Sequence, residues 1–221
     1  MNTKAQLQSP AIWTKKPSKI SQVFTAMTIP AVMFICLNFG LMSRASAQGN
    51  EYENSISKFT SERKYDIERP GALNGVKAPD FQGTTIDGVN VSLSAFKGKV
   101  IVLNFWFIAC PPCRLEVIPL NEIVQQFKDK EVIFLSVARE KEVDLKAHLK
   151  TNEFLFQTIA DPSSAIGRDV FHLFGYPTTI VIDKAGKIRY YTLGGKIDEQ
   201  AVRKELQQKL VPVINNLLNK S

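Results

Sequence analysis

Cysteine is scarce in this sequence, with three among 221 residues, and histidine is scarcer still, with two. Three cysteines cannot build the multi-bridge framework of a small secreted scaffold. A structural zinc site needs four ligands, and here it would have to enlist both His148 and His172 beside a cysteine pair. Acidic residues are missing altogether from residues 1–47, where Lys4, Lys15, Lys16, Lys19 and Arg44 are the only charges. That stretch carries most of the net charge of +7, since 23 basic residues face 21 acidic ones in the remainder. No basic stripe interleaved with aromatics is left, which excludes a nucleic-acid surface of the usual electrostatic kind. There is no internal repeat and no sign of a second domain.

What the N-terminus does have is the pattern of a targeting segment. A positive leader precedes 20 uncharged residues, Val23 to Met42, and SRASAQ follows with Ala45 and Ala47 in an A-x-A arrangement. Residues 1–47 therefore read as a signal peptide cleaved after Ala47. An uncleaved membrane anchor competes, because the apolar run is nearly long enough to span a bilayer. Either reading places the rest of the chain outside the cytoplasm, in a bacterial periplasm. Cys36 follows Met33, Phe34 and Ile35 and reads as one more apolar membrane residue. Residues 48–75 are polar and close on the turn formers RPGALNG. They read as a spacer with one short helix around Ile56 to Arg63, or as a plain disordered tail.

From residue 76 to 221 the patterning is that of one domain. Ile86-Asp87-Gly88 marks a hairpin between two short strands. KVIVLNFWF, Lys99 to Phe107, is a near-continuous apolar run suited to a strand buried on both faces. Leu115, Ile118, Ile123, Val124 and Phe127 then recur at helical spacing, and EVIFLSVA is a second buried strand. An exposed helix over 140–150, a short strand in FLFQTIADP, and a helix from Ser163 to Phe171 follow. YPTTIVID and AGKIRYYTLGG supply two more strands, and an amphipathic helical segment runs from Asp198 to about Leu218. The order predicts an α/β fold: a mixed central β-sheet with helices on both faces and an N-terminal β-hairpin extension.

Cys110 and Cys113 stand between the first long strand and its helix. Cys-x-x-Cys spacing fits a metal clamp, a structural staple or a redox pair. A staple across two intervening residues closes almost no loop and constrains the unfolded chain very little. At a helix N-terminus, unpaired backbone N–H groups and the helix dipole favour a thiolate, and Cys110 would be the more exposed of the two. Arg114 either adds to that field or is an ordinary helix-surface residue. Redox exchange is the reading these conditions favour.

APDF, LSAFKGKVIVLNFWF, CPPCRLE and GYPTTIVIDKAGKI together resemble the thioredoxin superfamily, and within it the extracytoplasmic TlpA/ResA-like branch. The resemblance implies a thioredoxin fold and an enzyme, a thiol–disulfide oxidoreductase. It implies that Cys110 attacks a client disulfide and that Cys113 resolves the mixed disulfide. Pro177 matches the branch's cis-proline, and Tyr176 would pair its backbone with an extended substrate segment. Trp106 would form a wall of the substrate groove. Glu116 matches an acid that exchanges a proton with the buried thiol, or is a glutamate favoured by the helix dipole. Asn104 occupies the position where many cytoplasmic thioredoxins carry a buried acid. Two departures are Ala109, where relatives often have tryptophan, and Pro119, one residue later than the usual proline.

The branch further implies no bound cofactor, because the electrons reside in the cysteine pair. Partners would be client proteins with disulfides or thiols, among them apocytochrome c and its assembly factors, and a membrane thiol electron carrier. Three alternatives remain: a disulfide-donating oxidase, a thioredoxin-fold copper-binding module, and a peroxiredoxin. A peroxiredoxin usually has threonine three residues before its reactive cysteine, where this chain has Phe107.

Overall fold

The computed structural model describes residues 51–58 and 73–220. The expected signal or anchor segment, residues 1–47, and residues 48–50 and 59–72 of the expected spacer lie outside them. A short hairpin comes first, β1 (Gln82–Thr84) against β2 (Asn90–Ser92), turned by Gly88 at φ 82°. That left-handed conformation is the reason for glycine there. The main sheet has the order β5-β4-β3-β6-β7, from β3 (Val100–Trp106), β4 (Val132–Ala138), β5 (Gln157–Ala160), β6 (Thr178–Ile182) and β7 (Ile188–Leu193). β3 runs parallel to β4 and antiparallel to β6, with Val102 paired to Phe134 on one side and Val181 on the other. Every residue of β3 is buried, which is why its sequence shows no polar alternation.

Successive residues of β3 serve two cores. Val100, Val102 and Trp106 face one layer with α1 (Pro111–Gln126) and the C-terminal helices, and Leu145 of α2 (Glu142–Leu149) joins it. Ile101, Leu103 and Phe105 face the hairpin side, together with Phe81, Val91, Ile166 and Phe171. Helical segments thus cover both faces of a mixed sheet, as the patterning predicts.

Three local features go beyond these readings. Residues 51–58 of the expected spacer are helical, beginning ahead of Ile56, and are docked on the body, while residues 59–63 of the expected helix lie outside the described residues. Tyr52 and Ile56, one turn apart on the same helix face, are buried in the hairpin-side core. The Tyr52 hydroxyl donates to the Phe171 carbonyl at 2.7 Å, and Glu53 meets His172 at 2.7 Å. Next, Ala165–Val170 forms a π-helical turn in place of a longer helix, because Asp161 accepts the N–H groups of Ala165, Ile166 and Gly167. Finally, the C-terminal segment divides into α3 (Glu199–Glu205), a π-helical stretch (Leu206–Leu210) and α4 (Val211–Asn219). Pro212 lacks the N–H that would continue an α-helical ladder through this break.

Candidate active site

β3 ends at Trp106 and α1 begins at Pro111, so three residues carry the chain from the sheet to Cys110. Cys110 caps the helix: its sulfur accepts the Cys113 N–H at 3.2 Å. Pro111 and Pro112 occupy the first turn, where a missing N–H costs the helix nothing. Cys110 and Cys113 are disulfide-bonded, with Cα atoms 5.2 Å apart. Both residues are buried, at 2% and 3% exposure, so Cys110 is not the more exposed partner in this oxidised state. The loop accounts for this, since Phe107, Ile108 and Tyr176 pack on the core cluster that holds both cysteines.

The loop before Cys110 is pinned by a residue that sequence reasoning missed. Glu140, two residues past β4, accepts the Ile108 N–H at 2.8 Å. Its other carboxylate oxygen is buried without a partner. Nothing local marks Glu140 in the sequence, because the bond spans 32 residues.

Glu116 lies on the inner face of α1 and is 7% exposed. Burial is the main cause that pushes its carboxyl up to about 8; the Asn104 side chain opposes the rise and the Glu205 charge adds to it. One of its oxygens has no hydrogen-bond partner. Pro119 lies one turn further on, and α1 continues through it. Glu116 is aimed at the bend where β6 begins and β7 ends. There the Tyr176–Pro177 peptide is cis, and Gly194 donates its N–H to the Pro177 carbonyl at 2.8 Å. A Cβ on Gly194 would collide with Glu116 Oε1 and stand 2.6 Å from Pro177 Cγ. Gly194 is therefore a second missed residue. Its signal was the Gly-Gly pair closing a strand, which marks a close backbone approach.

Trp106 is not a groove wall. Its side chain is buried, its indole N–H donates to the Ser136 hydroxyl at 3.2 Å, and its ring meets Phe154 edge to face. It lies on the same side of β3 as Val100 and Val102, which commits it to the core under α1. The half-buried aromatic pair beside the cysteine loop is instead Phe107 and Tyr176, with ring centroids 5.5 Å apart and planes at 85°. Ala109 is exposed and adds no wall of its own. Among the described residues no group of three or more His, Cys, Asp or Glu is gathered as a metal site.

The site thus comprises a disulfide at a helix start and, on the same helix, a buried carboxyl that meets a cis-proline bend at Gly194. The model of the AhpC/TSA family matches residues 74–191, more than half of the chain. The chain belongs to the AhpC/TSA family. Its relatives include the thiol–disulfide oxidoreductase ResA of Bacillus thuringiensis subsp. konkukian, 32% identical over 155 residues, which are 70% of this chain and 84% of the relative. The thioredoxin-like protein YneN of Bacillus subtilis is 31% identical over 149 residues, covering 66% and 84% respectively. Among solved structures, one assigned as a thiol:disulfide interchange protein DsbE from Chlorobium tepidum superposes with a TM-score of 0.57. It is 28% identical over 64% of this chain and 97% of that one. Within the family, this chain is a thiol–disulfide oxidoreductase of the ResA/DsbE type with a thioredoxin fold.

Proposed function

We propose that the protein is an exported reductant of client disulfides, with Cys110 as nucleophile and Cys113 as resolving thiol. The observation that carries this reading is the Cys110–Cys113 disulfide at the start of α1 with the buried carboxyl of Glu116 one turn behind it. In the reduced protein the Cys110 thiolate attacks one client sulfur, and the client S–S bond breaks. The departing client thiolate takes a proton. Cys113 then loses its proton and attacks Cys110 Sγ, which releases the second client thiol and leaves the enzyme disulfide. Two electrons pass from the cysteine pair to the client.

Glu116 is the group we assign to the Cys113 proton. Burial lifts its carboxyl to about 8, which lets it take and return a proton near neutral pH. Among the described residues no hydrogen bond joins Glu116 to either sulfur, and an intervening water carries the proton in this scheme. Tyr176 and the cis-Pro177 bend line the approach of an extended client segment. The electrons need no bound cofactor, and in an oxidising compartment the pair is re-reduced by a membrane thiol carrier. Residues 1–47 act as the export signal or the anchor in this reading; among the described residues no helix is long and apolar enough to cross a membrane.

The deciding experiment is the reduction potential of the pair, by equilibration against defined thiol buffers. A reductant has a value near or below about −270 mV, that of thioredoxin. A value near about −120 mV, that of the oxidant DsbA, would make the protein a disulfide donor and reverse the direction of electron flow. A pair that never cycled would overturn the catalytic reading.

A further inference from the structure

Arg139 follows the last residue of β4 and is exposed. Its guanidinium carbon lies 5.3 Å from the Phe107 ring centroid and 5.4 Å from that of Tyr176. Both distances fall within the ~6 Å reach of a cation–π contact. Phe107 leads into Cys110, and Tyr176 immediately precedes cis-Pro177, so one cation spans the two segments that border the disulfide. The neighbouring Glu140 fixes this arrangement, because its bond to the Ile108 N–H ties the Arg139–Glu140 step to the cysteine loop.

The charge of Arg139 is not spent inside the protein. Among the described residues no carboxylate forms an ion pair with it. The acids around the site are engaged elsewhere: Glu116 is buried, Glu140 accepts the Ile108 N–H, and Asp161, whose charge also reaches Tyr176, is buried and accepts the N–H groups of Ala165, Ile166 and Gly167. Arg114, the residue after Cys113, is likewise exposed, with no ion pair to a described carboxylate. The two near-perpendicular rings hold the guanidinium by its cation charge alone, and an exposed guanidinium carries N–H donors in a fork that matches a carboxylate.

We propose that Arg139, seated over Phe107 and Tyr176, selects client segments carrying an acidic side chain beside the reacting cysteine. The inference rests on the reading of the protein as a reductant of client disulfides. The aromatic pair supplies apolar contact for the client's extended backbone, and the guanidinium reads the neighbouring charge. Lysine at 139 would keep the charge but lose the planar fork.

The test uses the full chain, reduced beforehand, and three peptide disulfides that differ only in the residue before the attacked cysteine: Glu, Gln or Lys. Second-order transfer rates are measured at low and high salt. The expected order is Glu, then Gln, then Lys, with about a five- to ten-fold span at low salt that contracts at high salt, as an exposed charge contact requires. Arg139→Ala should collapse the Glu-to-Lys ratio to within two-fold, Arg139→Glu should invert it, and Arg139→Lys should preserve the order with a smaller span. Because the readout is a ratio within one variant, any general change in stability or potential cancels. A wild-type ratio near one, or a ratio unmoved in Arg139→Ala and Arg139→Glu, would overturn the inference and leave the reductant reading intact. Failure of the wild type to reduce any of the three peptides would overturn both.

Discussion

Replacing Glu116 by glutamine should remove a large pH dependence of stability. The group's ordinary value of 4.5 rises to about 8 in the fold, chiefly through burial. Between those two values the folded chain holds a proton that the unfolded chain has released. Folding therefore takes up a proton across this window, and stability falls as pH rises from about 4.5 to about 8. Three and a half pH units at about 1.36 kcal/mol each amount to a loss of about 5 kcal/mol from this one site. Glutamine has nearly the same shape and no ionised form, so it resembles the protonated acid at every pH. In urea unfolding of the oxidised protein, Glu116→Gln and wild type should lie within about 1 kcal/mol of each other at pH 5. At pH 8.5 the variant should be the more stable by about 5 kcal/mol, with unchanged m-values. Parallel stability curves across that range would refute the buried, destabilised carboxylate on which the proton-transfer scheme depends.

Other consequences can be checked alongside. Cys113→Ser should accumulate a mixed disulfide between Cys110 and client, visible as a mass adduct that dithiothreitol removes, whereas Cys110→Ser should trap nothing. Gly194→Ala forces a methyl group against Glu116 and Pro177 and should cost about 1–3 kcal/mol of stability in thermal or urea unfolding. Trp106→Phe should lose about 1–3 kcal/mol through the lost indole hydrogen bond and lost packing, although Ser136 keeps its bond to the Thr158 hydroxyl, while client affinity stays as it was; a raised KM would return Trp106 to the groove. Tyr52→Ala empties a fully buried aromatic site and should cost about 3–5 kcal/mol; if residues 51–58 were only a leader, stability would not move.

Much of this architecture was legible because its signals are local. The continuous apolar run of β3, the Asp-Gly hairpin and the Cys-Pro-Pro-Cys helix start each lie within about ten residues. The same continuity hid the orientation of Trp106: a strand buried on both faces has no polar alternation, so nothing in KVIVLNFWF tells which residues face the helices. The roles of Glu140 and Arg139 depend on contacts with a loop some 30 residues earlier in the chain. No spacing within VARE announces them. The π-helical turn at Ala165–Val170 escaped for a related reason. Its geometry is set by one carboxylate, Asp161, gathering three N–H groups, which a helical periodicity does not encode.

The docked helix at 51–58 sets where the folded body begins along the chain. With residues 23–42 retained in a membrane and residues 48–75 free, a leash of 33 residues would let the domain roam up to about 110 Å from its point of exit. Tyr52 and Ile56 fasten the chain to the body far earlier, leaving eight residues, or at most about 30 Å. The attachment point is the carbonyl of Phe171, six residues ahead of Pro177. Cleavage after Ala47 would release the same body with only three residues ahead of the clasp.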